Sequence, residues 1–170
     1  MISRNYKEIV KMAKSDIKTN VMRILDKAKI EYKHYTYEAD GTTTGVEVAA
    51  LVGQDPRRVF KTLVTVGKSK NYYVFVVPVE KELNLKLAAT SVGEKSIEMI
   101  KSKDLLAVAG YIHGGCSPIG MKKNYKTTID VQAEEFETII FSAGKIGYQV
   151  ELSLADLGKV IQFQVAEVAE

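Results

Sequence analysis

The apolar run Tyr72–Val79 constrains the fold of this chain more than any other segment. A strand with one face in solvent alternates apolar and polar residues, whereas this run is almost continuously apolar. It therefore predicts a central strand that is buried on both faces of a sheet. The run is far too short to cross a bilayer, so we expect no membrane association. The N-terminus lacks the apolar core of a secretory signal, and the expected location is the cytoplasm.

The rest of the chain alternates between helical and strand patterns without a strict βαβ rhythm. Strands are predicted at Glu31–Tyr37, Val59–Val66, Ser96–Met99, Thr127–Val131, Thr138–Ser142 and Tyr148–Leu152. Helices are predicted at residues 3–14, from Thr19 to Ala28, from Thr44 to Leu51, at Leu83–Thr90, at Ser102–Val108 and after Ser153. These elements predict an α+β fold in which a mixed, partly barrel-like β-sheet is flanked by helices. A length of 170 residues suits one domain, placed here at residues 19–170, with residues 1–18 as a helical extension.

Composition limits the chemistry that the chain can perform. The net charge of +3 permits a nucleic-acid partner but does not require one. Cys116 is the single cysteine, which excludes an internal disulfide. His34 and His113 are the two histidines, too few beside one cysteine for a structural zinc site. We therefore expect neither a metal nor a cofactor.

The segment Gly110–Lys123, G-Y-I-H-G-G-C-S-P-I-G-M-K-K, predicts an irregular loop. Glycine is favoured where the backbone must turn sharply or lie close to a ligand. Such a loop can direct backbone N–H groups at a carbonyl or phosphate oxygen. The alternative is a tight surface turn, although G-G-x-S-P-x-G holds more special residues than most turns need. The segment matches neither a P-loop nor a dinucleotide-binding fingerprint.

Lys61 interrupts a β-prone apolar run, V-F-K-T-L-V. In a strand that begins near Val59, the side chains of Val59, Lys61, Leu63 and Thr65 share one face. One interpretation places the lysine in solvent on an open sheet face. The other places its ammonium in a cleft, where it can meet a phosphate or polarise an ester.

Other polar residues near the loop allow further readings. His113, Cys116 and Ser117 invite a base-and-nucleophile assignment, but no third group that would orient the base is visible, and we interpret Cys116 as a small filler. Lysines surround the loop at positions 122, 123, 126 and 145. They fit either a solvated face or a phosphate-binding surface.

Three motifs, in order, resemble the YbaK family of aminoacyl-tRNA deacylases, which is related to the editing domain of bacterial prolyl-tRNA synthetases. They are V-F-K-T-L, G-Y-x-x-G-G-x-S-P-x-G-x-K-K and S-A-G-K-x-G-x-x-V-E-L, and the resemblance covers about residues 19 to 165. It implies an α+β fold with a mixed sheet and a substrate cleft. It also implies hydrolysis of the ester between a wrong amino acid and the terminal ribose of tRNA.

The resemblance implies which residues form the site. Lys61 would hold the terminal nucleotide and its ester, and it forms the catalytic set together with Gly115 and Ser117. The residues implied to bind substrate are Tyr37, Gly110, Gly114, Pro118, Ser142 and Gln149. Gln149 stands where relatives often carry an acidic residue, directly before V-E-L. If an acidic residue at this position recognises the amino group of the substrate, its replacement by glutamine weakens the activity or changes the substrate preference.

The implied activity is trans-editing of Cys-tRNA(Pro), in which the substrate's own thiol attacks the ester in a lyase-like step and backbone amides near Gly114–Ser117 stabilise the oxyanion. Two alternatives stay open: an Ala-tRNA(Pro) deacylase that uses activated water, and a catalytically silent module that binds tRNA or nucleotides. The implied partners are the aminoacylated 3′ end of a mischarged tRNA and a prolyl-tRNA synthetase that selects the tRNA.

Overall fold

A computed structural model describes residues 17–40 and 42–170 of the chain. Its five helices are α1 Asn20–Lys27, α2 Gly45–Leu51, α3 Leu85–Val92, α4 Ser102–Ala109 and α5 Leu154–Leu157. Its strands are β1 Lys33–Thr36, β2 Phe60–Gly67, β3 Tyr72–Pro78, β4 Ile97–Met99, β5 Lys126–Asp130, β6 Ile139–Ser142, β7 Tyr148–Leu152 and β8 Gln164–Ala166. Single 3₁₀ turns lie at Pro56–Arg58 and Val131–Glu135.

The strands form two sheets. A three-stranded antiparallel sheet has the order β1-β7-β6, and a five-stranded sheet has the order β4-β2-β3-β5-β8. In the larger sheet β3 pairs antiparallel with β2 and parallel with β5, so the sheet is mixed. These findings confirm the predicted α+β class with a mixed sheet and helices. The partly barrel-like closure is wrong, because the two sheets are joined between strands only by a bridge from Val59 to Ile140 in the described part of the chain.

Strand β3 is central and buried on both faces, as its apolar run predicts. Val74 and Val76 pack into the larger core with α1 and the three-stranded sheet. Phe75 and Val77 point the other way, into a second core against α3. Alternation along the strand thus supplies two cores, and this is why no polar residue interrupts the run.

Local signals place several elements as the sequence predicts. Thr19 caps α1 through its side chain, which accepts a hydrogen bond from the amide of Met22. At the start of α2 the hydroxyl of Thr44 accepts a hydrogen bond from the amide of Glu47 and donates one to its carboxylate. Gly110 ends α4 in the left-handed conformation, with φ of 86°.

Other expectations shift or fall outside the description. Helix α3 begins and ends two residues later than predicted, after the cap Asn84. Strand β8 was not predicted. The helix expected at residues 3–14 lies outside the described residues, and the extension over residues 1–18 stays a prediction. Within the described ranges, no helix combines the length and apolar character that a membrane crossing needs.

Candidate active site

A cavity of about 420 Å³ lies along one edge of β2. Strand β4 covers that edge only from Thr65 to Gly67, so the first half of β2 has no strand neighbour on this side. The open edge, the start of α4 and the end of the small sheet form the walls. Five of the predicted site residues line the cavity: Tyr37, Lys61, Gly114, Ser142 and Gln149.

The cavity decides between the two readings of Lys61. Its side chain is 27% exposed and half-buried in the cleft, rather than standing on an open sheet face. Its ammonium lies 3.2 Å from a carboxylate oxygen of Glu82, whose own side chain is 81% exposed. An ion pair with so exposed a partner is weak. The lysine is therefore held at the cavity without being neutralised in a buried pair.

Two glycines fit the loop against the hairpin turn between β6 and β7. Gly114 has φ of 87°, which a residue with a side chain rarely adopts. A Cβ on Gly115 would lie 3.2 Å from the amide nitrogen of Ile146. A side chain there would crowd the turn, and the bare backbone of Gly115 lets the loop pack closely beside the cavity that Ser142 and Gln149 line.

Four predicted residues do not line the cavity. Gly110 caps α4, and Gly115 uses its amide to donate to the carbonyl of Ile112 at 3.0 Å. Ser117 is 0% exposed, and its hydroxyl accepts a hydrogen bond from the amide of Ile119 at 3.3 Å. Pro118 lines a second cavity on the other side of the loop. These four residues shape the loop.

The cavity holds two buried side-chain atoms with unused hydrogen-bonding capacity. Gln149 is 6% exposed, and its Nε2 donates to the hydroxyl of Tyr37 at 3.3 Å. Its Oε1 has no hydrogen-bond partner in the described structure, and neither has Oγ1 of Thr62, which is 9% exposed. A buried polar atom without a partner is costly. Such atoms in a cavity wall are ready to meet polar groups of a ligand.

His113 and Cys116 both line the cavity, but no hydrogen bond joins their side chains in the described part of the chain. Burial raises the pKa of the Cys116 thiol to about 12, so the thiol stays protonated near neutral pH. The hydroxyl of Ser142 accepts a hydrogen bond from the amide of Gly144 at 3.1 Å, which fixes the neighbouring turn. This agrees with the interpretation of Cys116 as a filler.

Backbone amides remain as electrophilic groups. Gly114 and Cys116 both line the cavity, and their amides make no hydrogen bond to any residue that the structure describes. The amide of Gly115 lies between them in sequence but is used within the turn. The loop thus contributes two cavity-lining residues whose amides have no partner among the described residues.

The sequence interpretation missed several lining residues. Thr62 was assigned to the sheet face opposite Lys61, yet both line the cavity, because it wraps around an uncovered strand edge. Lys101 and Ser102 line it at the start of α4, which has no side-chain cap. The missing cap was visible in the sequence as a helix preceded by lysine, an unusual N-cap residue.

Comparison with known proteins covers most of the chain. The aminoacyl-tRNA editing domain family matches residues 39–160. A protein of Enterococcus faecalis, provisionally named Cys-tRNA(Pro)/Cys-tRNA(Cys) deacylase EbsC, is 42% identical over 156 residues, which are 91% of this chain and 95% of the relative.

Two solved structures share the fold. One, described as hypothetical protein APE2540, has a TM-score of 0.81 and 22% identity, with 89% of this chain and 100% of the other covered. The second, provisionally described as a trans-editing enzyme for prolyl tRNA synthetase, has a TM-score of 0.78 and 22% identity, with 91% and 99% covered. At 22% identity, these two structures are evidence for the fold alone. The match over residues 39–160 and the E. faecalis relative confirm the resemblance read from the three motifs, and the chain belongs to the aminoacyl-tRNA editing domain family.

Proposed function

We propose that the chain is an aminoacyl-tRNA deacylase that removes cysteine from mischarged tRNA(Pro). The observation that carries the proposal is one shared cavity, lined by Lys61 and by Gly114 and Cys116, whose amides have no hydrogen-bond partner among the described residues. A cation and two N–H donors are the groups that an aminoacyl ester, with its phosphate and developing oxyanion, needs. The E. faecalis relative carries the name of a deacylase of this substrate class.

Each cavity group has a role in the proposal. Lys61 binds the terminal phosphate or the ester oxygens, and an anionic ligand replaces Glu82 as its partner. The free Oε1 of Gln149 accepts a hydrogen bond from the amino group of the ester. Tyr37 holds the Gln149 side chain by accepting from its Nε2. These contacts position the amino acid without supplying a nucleophile.

The reaction then proceeds through the substrate's own thiol. The sulfur attacks the ester carbonyl, a C–S bond forms, and the C–O bond to the ribose breaks. The thiol proton passes to the ribose oxygen, and a cyclic thiolactone leaves the tRNA and is hydrolysed by water. The amides of Gly114 and Cys116 stabilise the oxyanion, and removal of one such donor typically costs about 2.7–4 kcal/mol of transition-state stabilisation. The elevated pKa of the Cys116 thiol supports a scheme without a protein thiolate.

The remaining parts of the proposal concern the protein partner and the location in the cell. A net charge of +3 is modest for a protein that grips tRNA alone, which favours a prolyl-tRNA synthetase as the partner that selects the tRNA. Because its substrate arises during translation, we place the protein in the cytoplasm.

A panel of tRNA(Pro) charged with cysteine, serine or alanine tests the proposal, with and without prolyl-tRNA synthetase. Rapid release of cysteine and slow release of serine supports thiol attack, since a hydroxyl is the poorer nucleophile. Faster release of alanine than of cysteine shows the water-activating alternative instead. Tight binding of all three without cleavage shows a silent binding module.

A further inference from the structure

A second cavity, of about 740 Å³, lies on the other side of the glycine-rich loop. One wall comes from residues 118–127, which follow the loop, and the other from residues 158–164, which follow α5. Its volume falls within the range of about 300–1,000 Å³ that is usual for ligand-binding clefts. We call it the lysine groove, after Lys123, Lys126 and Lys159, which line it. The site proposed above does not use it.

The charged residues that line the lysine groove are all lysines. Lysine and arginine number 24 and aspartate and glutamate 21 in the whole chain, yet no carboxylate of the described residues lines this groove. Lys159 makes an exposed ion pair with Asp156 at 2.8 Å. Lys123 and Lys126 have no ion pair with a described residue. The lysines stand on both walls, so a polyanion lying between them meets positive charge from two sides.

An aromatic ring stands among the lysines in a fixed position. The hydroxyl of Tyr125 donates to the carbonyl of Val108 at 2.6 Å, and its ring meets that of Tyr72 edge-on at 5.9 Å. Phe163, half-buried, lines the opposite wall. The rings of Tyr125 and Phe163 are both partly buried and pack against the larger core, so each offers the groove only part of its surface. Grooves that combine cations with aromatic side chains are typical of sites for single-stranded nucleic acid, because phosphates meet the cations and bases stack on the rings.

The loop connects the two cavities. Cys116 lines the first and Pro118 the second, and two residues of extended chain span at most about 7 Å. A strand whose last nucleoside occupies the first cavity reaches the lysine groove within a few nucleotides when it continues across the loop. We propose that the lysine groove binds the phosphodiester backbone of the RNA strand next to the acylated nucleoside, an inference that rests on the proposed function.

Charge-matched variants test the inference. The groove variant carries Lys123→Gln, Lys126→Gln and Lys159→Gln, and the control variant carries Lys68→Gln, Lys86→Gln and Lys95→Gln, three exposed lysines that line neither cavity. The probes are uncharged tRNA(Pro) and an RNA hairpin with an unpaired 3′ end. Fluorescence anisotropy gives the dissociation constant of each across a series of salt concentrations. Steady-state deacylation gives KM and kcat.

For the groove variant we expect the slope of log K against log salt to fall by about 2, at about 0.7 per phosphate contact on a single strand. Affinity falls about tenfold or more at low salt, while the control changes little. KM for aminoacyl-tRNA rises, and kcat at saturating tRNA stays within about twofold, since the groove does not touch the ester. Equal RNA binding by the two variants overturns the inference. So does a groove variant that keeps its RNA affinity and loses only stimulation by the synthetase, because the groove would then bind protein.

The test separates the two proposals. Anisotropy with RNA that carries no amino acid tests whether the groove binds RNA, even if the panel of aminoacylated tRNAs shows no deacylation. Conversely, the wild-type chain could deacylate Cys-tRNA(Pro) while the groove variant binds RNA as well as the control does. That result supports the proposed function and contradicts the inference about the groove.

Discussion

The Lys61 ammonium lies 3.2 Å from a carboxylate oxygen of Glu82 at the mouth of the cavity. Glu82 is largely exposed, so it can leave the lysine at little cost. An incoming anion and the Glu82 carboxylate are therefore competitors for the same cation.

Removal of that competitor should tighten substrate binding. For Glu82→Gln we expect KM to fall by up to about fivefold, since an exposed ion pair is worth at most about 1 kcal/mol. The value of kcat should change little, because Glu82 does not touch the ester. Steady-state kinetics at low salt measures both. Glu80→Gln, which removes a nearby exposed charge without an ion pair to Lys61, is the control. An equal fall in KM for both variants would assign the effect to net charge.

The cavity cysteine should be dispensable. Because burial raises the pKa of Cys116 to about 12, the thiol stays protonated at pH 8. Cys116→Ala should keep most of the deacylation rate, and iodoacetamide should label the native thiol far more slowly than the unfolded one. Loss of turnover in a Cys116→Ala protein that still folds would show a covalent mechanism.

We expect Gln149 to bind the amino group of the substrate. Its free Oε1 predicts that Gln149→Leu loses about 10- to 100-fold in kcat/KM, the range for a hydrogen bond to a charged group. Gln149→Glu keeps an acceptor at the same place and should keep activity. N-acetylated Cys-tRNA, which has no ammonium, provides the internal comparison. The wild type should discriminate against it, whereas Gln149→Leu should treat both esters alike. Discrimination that survives in Gln149→Leu would place the amino group elsewhere.

A buried carboxylate at the far end of the small sheet should make stability depend on pH. Burial alone raises the pKa of Glu151, but hydrogen bonds from Tyr35 and Thr138 and the charge of Arg58 lower it below its ordinary 4.5. Arg58 lies 3.1 Å away. A carboxylate with a lowered pKa stabilises the fold above the unfolded-state value, and the contribution is lost as the pH falls through the folded-state value.

We therefore expect Glu151→Gln to lower the free energy of unfolding by about 1–3 kcal/mol at pH 7. The deficit should shrink as the pH falls below 4.5 toward the lowered pKa. Urea unfolding at pH 7 and pH 3 measures it, with the exposed Glu137→Gln as the control. A deficit of the same size at both pH values would mean that packing, rather than charge, is lost.

The parts of the fold that could be predicted depend on local chemistry. Continuous apolar character identified β3, and the helical spacing of apolar residues after Thr19 placed α1, because these signals lie within a few residues of what they specify. Strand β8 has no such signal. It exists through its parallel pairing with β5, more than thirty residues earlier.

The candidate site likewise has features that local sequence predicts and features that depend on the folded structure. Spacing identified Lys61 but left its side of the sheet undecided, because the cavity exists only where the short β4 stops covering β2. The motif located the loop, but the hydroxyl of Ser117 and the amide of Gly115 are already engaged in hydrogen bonds within the loop. Which loop amides stay free depends on the turn geometry, and residue identity does not encode that directly.

Lys61→Met tests the central claim most directly, because it removes the ammonium while it keeps most of the apolar stem. Deacylation of Cys-tRNA(Pro) should be measured beside the thermal unfolding midpoint, with Lys68→Met as an exposed control. We predict that kcat/KM falls by about 100-fold or more, the scale of losing one electrostatic contact in an active site, while the unfolding midpoint stays near that of the wild type. A folded Lys61→Met protein that deacylates within about threefold of the wild-type rate would contradict the account.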